Sequence, residues 1–183
     1  MGPFEDERRG AARTGDAVST TAPELTIALA DYDDPADGAA IVGLLDAYAR
    51  DPMGGGEPLA DTTRDTLVDA LASFPGAFSL IARLDDTAVG LANCFTGFST
   101  FAAAPLVNIH DMAVLPAHRG KGVGRALMQA VEAEALKRGA CKVTLEVLGG
   151  NDTAKALYRS CGYGDYSLDP ETGTAQFWQK TLI

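Results

Sequence analysis

Cysteine is scarce in this chain: Cys94, Cys141 and Cys161 are the only three in 183 residues. Their spacing matches no metal-binding pattern, and an odd number builds no closed disulfide framework. They read as buried thiols in a reducing compartment, and no metal is expected. Cationic residues are also in short supply, with 15 Lys and Arg against 25 Asp and Glu and a formal charge of −10. No basic block offsets that balance, which argues against a nucleic-acid partner. The acidity suits a cationic amine, although acidic surfaces commonly serve only solubility. Long apolar runs are missing as well. None approaches membrane-spanning length, and the N-terminus lacks the apolar core of a secretory signal, so a cytoplasmic protein with no membrane partner is expected.

Met1 to about Pro23 mixes charges, Gly, Ser and Thr with few large apolar residues. Such a stretch cannot bury enough surface to offset its chain entropy, so residues 1–23 read as a disordered tail and 24–183 as one domain. There is no internal repeat and no second domain. Leu25, Ile27 and Leu29 alternate as a first strand. Asp34 before Pro35 places an N-cap and an N1 proline at the start of a helix carrying Ile41, Leu44, Leu45 and Tyr48. The run Asp51 to Pro58, with Gly54, Gly55 and Gly56, can be neither helix nor strand. A second helix capped near Asp61 or Thr62 turns Leu67, Val68 and Leu71 inward. Strands near Ala77–Leu84 and Thr87–Phe98 follow, joined at Asp85-Asp86, and Ser99 to Pro105 links them to the next strand.

The most informative stretch lies between Val107 and Leu136. An apolar strand, Leu106–Leu115, leads into Arg119-Gly120-Lys121-Gly122-Val123-Gly124. A helix then repeats Val123, Leu127, Ala130, Val131 and Leu136 near the 3.6-residue period and stops at Gly139. A glycine-rich basic turn between strand and helix has a physical use. Its amides are free, its backbone can be approached closely, and the helix dipole adds positive potential. That makes a pyrophosphate cradle, and Arg119, Lys121 and Arg125 can each neutralise phosphate. The Walker pattern is absent, because Gly120-Lys121 is followed by Gly122 rather than a hydroxyl residue. The dinucleotide fingerprint also fails, because Gly124 arrives one place early and Pro116 to Arg119 separate the strand from the glycines. Further on, Cys141–Val147 alternates as another strand and Gly149-Gly150 breaks it. Asn151 or Asp152 caps a short helix with Ala154, Leu157, Tyr158 and Cys161. Final strands near Tyr163–Leu168 and Ala175–Thr181 complete the pattern.

The R-x-x-G-x-G spacing resembles the pyrophosphate loop of the GNAT superfamily of acetyl-CoA-dependent N-acetyltransferases. The likeness runs from about Asn108 through Tyr166 and includes Asp111-Met112-Ala113-Val114, Asn151, Ala154, Leu157-Tyr158 and Cys161-Gly162-Tyr163. It implies a single-domain α/β fold, a mixed sheet of about seven strands flanked by about four helices, with a splayed central strand pair. Acetyl-CoA is then the cosubstrate, with its pantetheine arm along Met112, Ala113 and Val114. Its diphosphate is held by Arg119, Gly120, Lys121, Gly122, Val123, Gly124 and Arg125, with Asn151, Ala154 and Tyr158 completing the cofactor contacts.

In that scheme an amine attacks the thioester directly, with both substrates bound. The N–H of Val114 steadies the charge developing on the carbonyl oxygen, and Tyr158 protonates the departing thiolate. The resemblance implies a base at His110, where many relatives carry Glu; Asp111, Glu146 or water are alternatives. Each has a plainer reading: Tyr158 as packing, Asn151 as an N-cap, His110 as a hydrogen-bonded strand residue. Acceptor specificity is expected on Asp51–Pro58 and near Phe95, Phe98 and Phe101, with a small-molecule or peptide amine as partner. A homodimer is common among relatives. The competing expectation is a non-catalytic acyl-CoA-binding regulatory module.

Overall fold

Why the sheet has a polar, open end follows from how its strands pair. The computed structural model describes residues 23–167, 169, 171 and 173–182, so the expected tail at 1–23 lies outside the described residues apart from Pro23. In chain order the elements are β1 (Leu25–Leu29), α1 (Pro35–Ala49), α2 (Asp61–Ser73), β2 (Ala77–Leu84), β3 (Thr87–Ser99), β4 (Ala104–Val114), a 3₁₀ turn (Pro116–His118), α3 (Val123–Lys137), β5 (Val143–Leu145) and α4 (Asp152–Ser160). The five strands form one sheet in sequence order. β1 through β4 are antiparallel neighbours. β5 joins β4 in parallel, after the α3 crossover.

Local chemistry sets the helix ends. Asp34 Oδ1 accepts the Ala36 N–H at 2.9 Å, and Pro35 fills the first helical position of α1. α2 departs from expectation: Asp61 lies inside the helix, and Ala60 stands at the cap with no side-chain bond. α3 packs its buried row of Val123, Leu127, Met128, Val131 and Ala135 on one face of the sheet, against Leu80, Val89, Ala92 and Val107. α1 and α2 cover the other face through Ile41, Leu44 and Leu71, over Ile81, Leu91 and Ala113.

Two expected strands are absent among the described residues. Among the described residues near these two stretches there is only an isolated bridge, Ser167 to Thr174, so the described sheet has five strands rather than seven. A strand gains stability from its neighbours, and here Phe177 and Trp178 stay 73% and 83% exposed, with little apolar burial to offset the cost of ordering. β5 is likewise shorter than the expected Cys141–Val147, because the chain leaves β4 after Leu145. The link between β3 and β4 shrinks to four residues, since β3 runs to Ser99 and β4 begins at Ala104.

Candidate active site

β4 is bonded on both edges for only part of its length. Its β5 side is paired over Val107, Asn108 and Ile109 and then left open through Val114, so the two parallel strands splay as expected. On the β3 side the ladder continues to Leu115, whose N–H reaches the Val89 carbonyl at 2.9 Å. Antiparallel pairing alternates, so Asp111 and Ala113 also face β3 while Met112 and Val114 turn their N–H and C=O into the opening. The carbonyl of Val114 confirms that direction, because it accepts from Arg119 Nε at 2.9 Å. Ala113 therefore has no backbone group to offer a ligand in the gap, and its side chain is buried under α1.

The glycine turn lies directly beyond this edge. Gly120 and Gly122 adopt φ of +72° and +86°, and nothing stands within 4 Å of where a Cβ would sit on either. Only glycine holds that conformation cheaply, and the open space allows a ligand to approach the backbone. Among the described residues, the N–H groups of Gly120 to Gly124 find no protein acceptor, and Gly122 caps α3 without any side-chain bond. Free amides at a helix N-terminus fit an anionic diphosphate. Gly124 has a different reason to be glycine: its Cβ would come within 2.9 Å of Leu157, so it lets α3 and α4 pack closely.

The basic residues around the turn are less available than expected. Arg119 is ion-paired to Asp51 at 2.8 Å, besides its bond to Val114. Arg125 reaches α4 instead, donating to Ser160 Oγ at 2.8 Å. Lys121 is exposed and makes no ion pair with a described residue. The Asp51 carboxylate also accepts the Met53 N–H at 2.9 Å, so one side chain shapes the loop between α1 and α2 and ties it to the glycine turn. Those bonds, first to Met53 and then to Arg119, hold its carboxyl below the usual range. Phe98 and Phe101, expected near the acceptor side, are exposed, whereas Phe95 packs edge-on against His110 with ring centroids 5.5 Å apart.

At His110 the β3–β4 ladder departs from regularity. β3 matches Asn93 to Asp111 and then Cys94 to Ile109, leaving His110 as the extra residue of a β-bulge. Strand side chains ordinarily alternate between faces. Here two consecutive ones meet the α1–α2 face: His110 stacks on Phe95, and Asp111 accepts from Asn93 Nδ2 at 3.1 Å. His110 is exposed and Asp111 half-buried. Glu146, just past β5, stands across the opening at 3.4 Å from Asn108 Nδ2.

Tyr158 sits on α4, half-buried and packed against the α3-side core. Burial, and secondarily the nearby Tyr48, pushes its phenol up to about 12. It also lines a cavity of about 610 Å³ between β5, α4 and the segment after Tyr163. Asn151 Oδ1 accepts the Ala154 N–H at 3.1 Å, so the capping role is realised and that amide is occupied. His118 has a buried Nδ1 with no hydrogen-bond partner, and Cys141 is exposed. No group of His, Cys, Asp and Glu among the described residues could hold a metal ion. None of the described helices is long and apolar enough to cross a membrane.

Sequence reasoning did not single out Ser79 and Asn93, although each interrupts an otherwise apolar strand and that interruption was the available signal. Both are buried, at 1% and 2% exposure.

A mixed sheet whose last two strands, β4 and β5, part beside an amide-lined helix terminus defines an acyltransferase-type α/β domain. The Acetyltransferase (GNAT) family is the one whose model matches, over residues 38–163, and this chain belongs to it. Among curated relatives, a streptothricin acetyltransferase of Streptomyces lavendulae is 38% identical over 100 residues, 52% of this chain and 53% of that protein. N-alpha-acetyltransferase RimI of Mycobacterium tuberculosis is 40% identical over 84 residues, 45% of this chain and 49% of that protein. The match thus spans about half the length of each. A crystal structure of an aminoglycoside acetyltransferase from an uncultured soil metagenomic sample shares the fold, with TM-score 0.69 and 19% identity over 86% of this chain and 97% of that one.

Proposed function

We propose that this protein transfers the acetyl group of acetyl-CoA to a primary amine, of a small molecule or a peptide, by direct attack on the thioester. The observation that carries the reading is the pairing of two features. Unsatisfied amides at Gly120–Gly124 lie beside a β4 edge whose Met112 and Val114 are turned into an unpaired gap. The turn amides and Lys121 receive the diphosphate. Met112 and Val114 bond the pantetheine amides as an added strand would, and the Val114 N–H meets the charge that grows on the thioester oxygen. Asn151 keeps its side-chain NH₂ for the same arm while its oxygen caps α4. Family membership supports acetyl-CoA as cosubstrate.

Tyr158 is the general acid of this scheme. A phenol held up near 12 stays protonated at neutral pH and can hand its proton to the leaving thiolate. His110, re-aimed by the bulge onto the acceptor face, takes the proton from the attacking amine, directly or through water. Three free cysteines fit a cytoplasmic setting.

The test is release of free thiol from acetyl-CoA across a panel of amines. Turnover is expected with at least one, and CoA binding without any turnover would favour a regulatory acyl-CoA-binding module instead. Tyr158→Phe should lower kcat by about 10²–10⁴, the usual span for a positioned acid, with CoA affinity unchanged. Full turnover in that variant removes the tyrosine from the chemistry.

A further inference from the structure

Three neighbouring strands place one polar residue each at matched positions: Ser79 opposite Asn93, and Asn93 opposite Asp111. They form a hydrogen-bonded file across the face under α1 and α2. Ser79 Oγ donates to Asn93 Oδ1 at 2.7 Å, and Asn93 Nδ2 donates to Asp111 Oδ2 at 3.1 Å. The single hydroxyl proton of Ser79 is thereby used, so the Tyr32 hydroxyl, 3.0 Å away, must donate to Ser79 Oγ. Every bond runs toward Asp111. Burying such a file is costly unless each member is satisfied, and its members are, up to the terminal carboxylate.

That carboxylate is unusual in this molecule. The other half-buried aspartates each have an arginine: Asp37 has Arg83 at 2.6 Å, Asp46 has Arg50 at 2.8 Å, and Asp51 has Arg119 at 2.8 Å. Asp111 has only the Asn93 amide, and no cationic side chain pairs with it among the described residues. Its charge reaches the Tyr48 phenol, which burial first, then Asp111 and Asp51, push up. The bulge sets it next to His110 on the same face.

We infer that Asp111 is a specificity-determining residue that binds a second positive charge on the acceptor, so that the preferred substrates are diamines or other polycationic amines. The inference rests on the acetyl-transfer reading above. The reacting nitrogen must be uncharged to attack, so a fixed carboxylate beside the base does not hold that nitrogen well. A separate ammonium a few bonds away suits it. The file is also poorly made for proton work. Its donors all point toward Asp111, and a carboxamide such as Asn93 does not pass a proton along, so nothing accepted at Asp111 would be carried away through the sheet.

The experiment compares initial rates of thiol release from acetyl-CoA with α,ω-diamines of increasing length, each against the monoamine of equal length. Wild-type protein, Asp111→Asn and Ser79→Ala are used, with CoA affinity and melting temperature recorded for each to confirm folding. Wild type should favour its best diamine by roughly ten- to a hundredfold in kcat/KM, the value of one charge-assisted contact. Asp111→Asn should bring that ratio close to one, chiefly through the diamine KM, and Ser79→Ala should lower it less. An unchanged ratio in Asp111→Asn overturns the assignment, and so does an equal fall in kcat for both amines, the signature of a base. If no amine releases thiol, the acetyl-transfer reading fails by itself. Calorimetric binding of the diamine then decides the subsite: affinity lost in Asp111→Asn upholds it, and affinity retained overturns it.

Discussion

On the face of the sheet covered by α3, the strands bury residues such as Leu80, Val89, Ala92 and Val107 against Leu127 of the helix, an apolar set with no hydrogen bonds to place. On the face under α1 and α2, the same strands bury Ser79 and Asn93 and lead them to Asp111. The first face can be packed by shape and transfer free energy alone. The second gives up part of that stabilisation, because a polar group there is tolerated only with its partner in place. The difference separates what holds the domain together from what prepares its site.

That contrast can be broken by substitution. Leu127, wholly buried under α3, should lose about 2–5 kcal/mol as Leu127→Ala, read from denaturant unfolding with an unchanged m-value. Asn93→Leu keeps the branched shape but strips two hydrogen bonds, and should cost about 1–3 kcal/mol in the same assay. An Asn93→Leu cost above that of Leu127→Ala would mean the polar file, rather than the α3 core, dominates stability. The smallest effect belongs to the turn, which packs against neither face. Gly122→Ala must hold φ near +86° while its methyl meets open space, so about 1 kcal/mol of stability is expected to go. Its weakening of CoA binding, read by calorimetry, should exceed that stability loss. A variant that binds CoA normally would show that the turn's conformation is not what the cofactor needs.

Much of the scaffold was legible because its signals are local. The Asp34-Pro35 start of α1, the Gly139 end of α3 and the Asn151 cap of α4 are each decided within a few residues of backbone. The positive φ of Gly120 and Gly122 was implied by residue type in the same way. Legibility failed where the outcome needed a distant partner. Arg119 reads as a phosphate ligand from its neighbours, yet Asp51, 68 residues away, claims it. The alternation of Ala175–Thr181 reads as a strand, but no described strand pairs with it. The bulge at His110 leaves no trace in the sequence of β4, because a bulge is a mismatch between two strands rather than a property of one.

The amino-acid order alone determined the succession of helices and strands as far as α4, the glycine turn after β4, and the family to which such a turn belongs. Those features depend on contacts spanning at most a helical turn or a strand repeat. Tertiary structure decided that β5 abandons β4 after Ile109 and that the amides of residues 120–124 stay unclaimed. It also decided that His110 and Asp111 share a face and that Asp111 ends a file beginning at Tyr32. Each of those outcomes is a competition among groups far apart in the chain, settled only when the strands are side by side.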